Sequence, residues 1–254
     1  MRLEAKVAII TGGAHGIGRS FAMAFGNEGA KVVIADINLA AASETVDALK
    51  KNGIESLSIE TDVSSPESTE EMARQTVKRF GRIDILVNNA AVLASYSASR
   101  GAPFYEIDLN EWDQVISVNL KGTFLCTRAV FPYMKEQAGG KIINMASSTF
   151  FWGPATMAHY IASKGGVIGL SRTLATELGQ YQINVNCIAP GSTFSEDPTN
   201  KEALEFRKLL VRRRIIKRLE YPEDLVGTAI FLASSDSDFI TGQTIVVDGG
   251  QIMH

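Results

Sequence analysis

Val7-Ala8-Ile9-Ile10-Thr11-Gly12-Gly13-Ala14-His15-Gly16-Ile17-Gly18 reads as a strand, a tight turn and the start of a helix. The unbroken apolar run Val7–Ile10 is what a strand buried on both faces requires. Glycine lets a backbone turn sharply and come close to a bound group. The stretch from Ile17 to Glu28 predicts an amphipathic helix whose first N–H groups are left without intrahelical partners and face the turn. Such a terminus favours an anion, and a pyrophosphate suits a glycine turn set between a strand and a helix. The spacing is GxxxGxG rather than GxGxxG, so the placement of the turn carries the reading. Gly12, Gly16, Ile17 and Gly18 are the candidate phosphate-facing residues.

Lys31–Ala35 is a second strand, and Asp36 ends it. An acid at that point can accept hydrogen bonds from the hydroxyls of an adenosine ribose and repels a 2′-phosphate, which predicts NAD rather than NADP. No arginine follows Asp36, and His15 is the only possible cation in the turn. The competing reading is a solvated strand-end aspartate.

The rest of the chain repeats the alternation. A helix is expected over Leu39–Lys51, a strand over Ser56–Ile59, and a helix from Ser65-Pro66-Glu67 to Phe80. Serine can cap that helix, proline suits its first position and Gly81 stops it. Further strands are expected at Ile83–Val87, Lys141–Met145, Ile183–Ile188 and Thr244–Val247. Helical stretches cover Leu109–Lys135 and Tyr160–Leu178, and Pro222 opens another. The pattern predicts an α/β fold, a doubly wound parallel sheet of about seven strands with helices on both faces. With no repeat or linker, residues 1–254 read as a single domain. Leu93–Phe104 and Ser192–Asn200 follow strands and are candidate substrate loops, since open α/β sheets bind ligands beyond the carboxyl ends of their strands.

Bulk properties narrow the function. A net charge of −3 gives no electrostatic grip on nucleic acid. Cys126 and Cys187 form no CxxC pair and lie among apolar residues, and with only three histidines no metal site is expected. Arg2, Glu4 and Lys6 interrupt the N-terminus, and Val7–Ile10 is far too short to span a bilayer, so neither signal peptide nor membrane segment is expected and the cytoplasm is the default.

Tyr160-Ile161-Ala162-Ser163-Lys164 puts a phenol and an ammonium on one face of a helix, and Ser147 precedes Tyr160 by 13 residues, just after a strand. Together with the Thr11–Gly18 turn, this arrangement resembles the short-chain dehydrogenase/reductase family. Further segments fit in the same order. They are Asp62-Val63, Asn88-Asn89-Ala90-Ala91, Asn119, Asn186-Cys187-Ile188-Ala189-Pro190-Gly191 and Thr241–Gly250. Ala91 stands where the family usually has glycine, and Ser195 where threonine is common.

The resemblance implies a Rossmann-type fold and an NAD-dependent oxidoreductase acting on an alcohol or carbonyl. It makes Tyr160 the general acid/base, has Lys164 favour phenolate and hold the nicotinamide ribose, turns Ser147 toward the substrate oxygen, and has Asn119 support a proton-relaying water. It adds Asp62, Val63, Asn89, Pro190, Gly191 and Thr193 to the cofactor-binding residues, and it implies a homotetramer built on the two long helices. Within the family the chain looks most like the branch that oxidises aryl or heteroaryl alcohols, such as phenylethanol or pyridoxal. Alternatives are a 3-oxoacyl thioester reductase and a non-catalytic NAD-binding regulatory protein. Phe150, Phe151 and Trp152 read either as pocket lining or as packing, and His159 as structural or at the pocket rim. Arg212-Arg213-Arg214, with Lys208, Lys217 and Arg218, reads as a solvated helix face that could also attract an anionic substrate.

Overall fold

The computed structural model describes residues 1–92, 101–195 and 201–253. Its strands are β1 (Val7–Thr11), β2 (Lys31–Asp36), β3 (Ser56–Glu60), β4 (Ile85–Asn88), β5 (Gly140–Met145), β6 (Ile183–Pro190) and β7 (Thr244–Val247). They form one parallel sheet in the order β3-β2-β1-β4-β5-β6-β7. β1 is buried at every position, as its apolar run requires. The order reverses between β1 and β4, and the crevice beyond their carboxyl ends is where such a sheet places ligands.

Helices α1 (Gly16–Asn27), α2 (Leu39–Lys51) and α9 (Glu223–Ala233) cover one face. Phe21, Phe25 and Leu49 pack there against Ile10, Ile34 and Val87. On the other face lie α3 (Pro66–Phe80), α5 (Gly122–Glu136) and α7 (Ala158–Leu178), where Met72, Val130 and Met134 meet Ile9, Leu86 and Val185. α3 begins and ends as its sequence dictates. Ser65 Oγ accepts the Ser68 N–H at 3.2 Å, Pro66 occupies the first helical position, and Gly81 closes the helix at φ 81°.

Three features depart from the expected elements. The region expected as one helix from Leu109 to Lys135 is α4 (Leu109–Ile116), a π-helical turn at Ser117–Lys121, and α5. A short helix α6 (Thr149–Trp152) follows β5, and α8 (Lys201–Val211) follows the second candidate loop. The expected loops run partly through residues 93–100 and 196–200, which lie outside the described residues. Among the described residues no helix is long and apolar enough to cross a membrane.

Candidate active site

The turn after β1 admits only glycine at positions 12 and 18. Gly12 adopts φ 62°, and a Cβ there would come within 2.8 Å of Ala90 Cα. A Cβ on Gly18 would lie 2.3 Å from Gly12 O. His15 precedes α1 without capping it through its side chain. The first N–H groups of α1 therefore face the turn unclaimed by a side-chain cap, which is the arrangement an anion needs. Asn89 clamps the turn from the neighbouring strand, its Nδ2 donating to Thr11 O and Gly12 O at 3.0 Å each. Asn89 thus acts on the turn's own backbone.

Asp36 stands at the end of β2, half-buried, with Oδ2 accepting Ala14 N–H at 3.1 Å and Oδ1 accepting Asn38 N–H at 3.0 Å. Its carboxylate is aimed across the mouth of the turn. Asp62 is held in its own turn by Ser64, whose N–H and hydroxyl both donate to Oδ1. Val63 is buried against Gly122 of α5. Gly12, Gly16, Ile17, Gly18 and Asp36 therefore surround one end of the crevice, and the turn, the uncapped helix terminus and the acid together fit a dinucleotide.

At the other end, β5 delivers Ser147 and α7 delivers Tyr160 and Lys164, all three buried. Ser147 lies beside the Tyr160 phenol and favours its ionised form. Ser148, the neighbouring candidate, has its N–H tied to Pro190 O at 2.9 Å, and it is Ser147 that faces the phenol. Lys164 Nζ donates to Met145 O at 2.7 Å and lies 5.8 Å from the centre of the Tyr160 ring. Burial pushes the Lys164 ammonium down to about 8. Burial also pushes the Tyr160 phenol above its ordinary value, opposed first by the Ser147 hydrogen bond and then by the Arg207 charge. Ser147 and Arg207 are the groups that offset burial at the phenol in the free protein.

Asn119 sits within the π-helical turn and is buried. Its Oδ1 accepts Val92 N–H at 2.8 Å, and its Nδ2 donates to Val92 O and to Ser163 Oγ, each at 3.1 Å. The side chain joins the segment after β4 to the helix that carries Tyr160. π-Turns of this kind commonly occur at functional positions. His159 is buried, with Nε2 3.3 Å from Glu111 Oε1, which makes it a link between α7 and α4.

Pro190 ends β6, and the turn after it carries Gly191 and Thr193. Thr193 Oγ1 donates to Glu220 Oε1 at 2.6 Å, and Phe194 N–H donates to Glu220 O at 2.7 Å. Glu220 pairs with Arg214 at 3.1 Å, and Arg214 also donates to Ser192 O at 2.8 Å. Both members of this pair are buried. Arg214 therefore does not belong to a solvated basic face. Arg218 pairs with Asp224, Lys208 with Glu205, and Arg213 stacks on Trp152 at 4.9 Å, so the expected cationic cluster is distributed among separate partners. Sequence reasoning missed Glu220, whose only signal was an acid just before Pro222.

Of the aromatics after Ser147, Phe150 packs onto Gly165 of α7 and meets Phe151 edge-on at 5.3 Å, while Phe151 joins the cluster around Val167 and Cys187. Phe150 keeps an exposed edge beyond these contacts.

Fold and site together define a nicotinamide-dependent oxidoreductase. A family model described as enoyl-(acyl carrier protein) reductase matches residues 12–251. The chain is 40% identical to the (2S)-[(R)-hydroxy(phenyl)methyl]succinyl-CoA dehydrogenase subunit BbsD of Thauera aromatica, covering 99% of this chain and 98% of that one. It is 39% identical to the 3-oxoacyl-[acyl-carrier-protein] reductase FabG of Thermotoga maritima over the full length of both. A solved short-chain type dehydrogenase/reductase from Mycobacterium marinum superposes with a TM-score of 0.90 at 32% identity, covering 99% of this chain and 97% of that one. The protein belongs to the short-chain dehydrogenase/reductase family.

Proposed function

We propose that this chain is a single-domain, NAD-dependent enzyme that interconverts a secondary or aryl alcohol and its carbonyl, with Ser147, Tyr160, Lys164 and Asn119 as its catalytic group. The observation that carries the reading is the burial of Ser147, Tyr160 and Lys164 together at the carboxyl ends of the strands, with Lys164 Nζ on Met145 O and 5.8 Å from the Tyr160 ring. A binding-only regulatory protein has no need of that group.

A bound nicotinamide dinucleotide supplies the two-electron hydride donor or acceptor. Gly12, Gly16, Ile17 and Gly18 would hold its pyrophosphate, Asp36 its adenosine ribose, Asp62 and Val63 its adenine, and Asn89 supports the turn. Tyr160 and Lys164 would meet the nicotinamide ribose, with Pro190, Gly191 and Thr193 flanking the nicotinamide. The residues of the chain then manage the proton. The Tyr160 hydroxyl gives a proton to a carbonyl oxygen as negative charge develops there, or as phenolate removes one from an alcohol. Ser147 donates a second hydrogen bond to the same oxygen. Burial excludes water from both groups and strengthens those bonds. Asp36 supports NAD over NADP, because a 2′-phosphate would meet its carboxylate.

A second reading has specific support. Two relatives act, by their names, on acyl thioesters, one as a dehydrogenase and one as a reductase. A 3-oxoacyl thioester is therefore the alternative substrate. A homotetramer is also part of this reading. A groove of about 320 Å³ between α5 and α7 is lined by Phe124, Phe131, Leu174 and Tyr181, an apolar surface suited to a second copy.

The test is a panel of aryl alcohols, aliphatic alcohols and a 3-hydroxyacyl thioester, each with NAD and with NADP. Turnover fastest with NAD and an aryl alcohol is expected. Turnover confined to the thioester with NADP would replace this reading by the alternative.

A further inference from the structure

Thr149 is the first residue of α6, two positions beyond Ser147. Its hydroxyl lies 2.8 Å from Ser147 Oγ, and its backbone N–H donates to the same oxygen at 3.3 Å. The geometry of the turn is fixed independently, by Ser148 N–H on Pro190 O and Phe150 N–H on Ser147 O. Ser147 in turn lies beside the Tyr160 phenol, where its effect is to favour phenolate.

The hydroxyl of Ser147 has one proton to give and two lone pairs to accept with. The Thr149 N–H can only donate, so it occupies one lone pair. If the Ser147 proton is directed at the Tyr160 oxygen, the Thr149 hydroxyl must be the donor in its own contact with Ser147. If Ser147 donated to Thr149 instead, nothing would be left for the phenol or for a substrate oxygen. The Thr149 hydroxyl therefore decides which way the Ser147 proton points. Donors in series also polarise one another, so each bond strengthens the next.

We propose that Thr149 is a positioning residue. It fixes Ser147 as a donor and completes a one-way chain, Thr149 to Ser147 to the oxygen held by Tyr160. This rests on the proposed function for its catalytic meaning, but the Thr149–Ser147 hydrogen bond exists in the protein without substrate and its effect on Tyr160 is measurable there.

The experiment labels all six tyrosines with 13C at Cζ and follows the Tyr160 resonance, assigned by Tyr160→Phe, against pH. The proteins compared are wild type, Thr149→Val, Thr149→Ala and Thr149→Ser. Loss of one donor is worth about a tenfold change in an equilibrium. Thr149→Val and Thr149→Ala should therefore shift the Tyr160 ionisation about one pH unit upward, while Thr149→Ser titrates with wild type. In parallel, kcat for alcohol oxidation should fall about tenfold in Thr149→Val and Thr149→Ala with KM altered less than twofold, and Thr149→Ser should restore it. Indistinguishable titrations of wild type and Thr149→Ala, including no titration in either, would overturn the proposal. So would a Thr149→Ser protein as shifted as Thr149→Ala, since packing of the methyl group would then be the cause. Absence of turnover in wild type would defeat the functional reading while the titration still decided the role of Thr149.

Discussion

Lys164 Nζ donates to the Met145 carbonyl at 2.7 Å inside a site that buries the ammonium. Burial lowers the lysine to about 8 from an ordinary value near 10.5. A base held below its unfolded value binds its proton less well in the native state. Folding is therefore penalised in full below pH 8, and the penalty is relieved as pH rises from about 8 to 10.5. At neutral pH it amounts to roughly 3 kcal/mol. Lys164→Met removes it and leaves one carbonyl unpaired, at a cost of about 1–2 kcal/mol. The variant should be more stable than wild type at pH 7 by about 1–2 kcal/mol, no more stable at pH 10, and inactive at both. Urea denaturation at the two pH values checks this. A lysine kept for packing would give a destabilised variant at pH 7.

Asp36 bears on cofactor choice. Its two carboxylate oxygens are already oriented by Ala14 and Asn38 N–H groups, so the negative charge stands fixed at the end of the crevice proposed for the adenosine ribose. Asp36→Asn keeps the size and removes the charge. The preference for NADH over NADPH should fall at least tenfold, mainly through tighter NADPH binding, as read by nicotinamide fluorescence.

The glycine turn admits a sharper test. Gly18→Ala would bring a methyl to 2.3 Å from Gly12 O, a backbone atom that cannot step aside without moving the turn. Dinucleotide binding should weaken at least a hundredfold by isothermal titration, about 3 kcal/mol. Gly227→Ala, on α9 with nothing within 4 Å of the added methyl, should bind like wild type.

Arg214 and Glu220 form a buried pair beneath the turn that carries Thr193. Removing one partner strands the other charge, so Arg214→Ala and Glu220→Ala should each destabilise the fold by about 3–5 kcal/mol. A joint Arg214→Met and Glu220→Leu protein should recover most of that loss, as urea midpoints would show. Cofactor affinity should fall in the single variants, because Ser192 O and the Thr193 hydroxyl both lose their anchors.

How much of this could be read from the sequence follows from where the information lies. The central strands were legible because a parallel sheet covered on both faces leaves an unbroken apolar run, as in Val7–Ile10 and Val32–Ala35. The cap, proline and glycine of α3 are local signals, and they fall where expected. The π-turn at Ser117–Lys121 was not legible, because its residues continue the helical pattern on both sides and only the burial of Asn119 against Val92 and Ser163 demands the extra residue. α6 was hidden by Thr149-Phe150-Phe151-Trp152, four residues that locally favour strand. Arg214 looked solvated because its neighbours are arginines. Its burial depends on a turn that returns Glu220 beside it, a tertiary fact with no periodic trace. Ser147, Tyr160 and Lys164 stand out by their spacing, but the Thr149 bond to Ser147 emerges only once the turn after β5 is folded.

Whether the Tyr160 phenol moves the proton is decided by comparing wild type with Tyr160→Phe, measuring NADH affinity and kcat on the best alcohol of the panel. Phenylalanine keeps the ring and removes the hydroxyl. NADH affinity should stay within about threefold of wild type, and kcat should fall by about 10²–10⁴. A Tyr160→Phe protein that turned over alcohol at the wild-type rate would contradict the assignment of Tyr160 as the general acid/base.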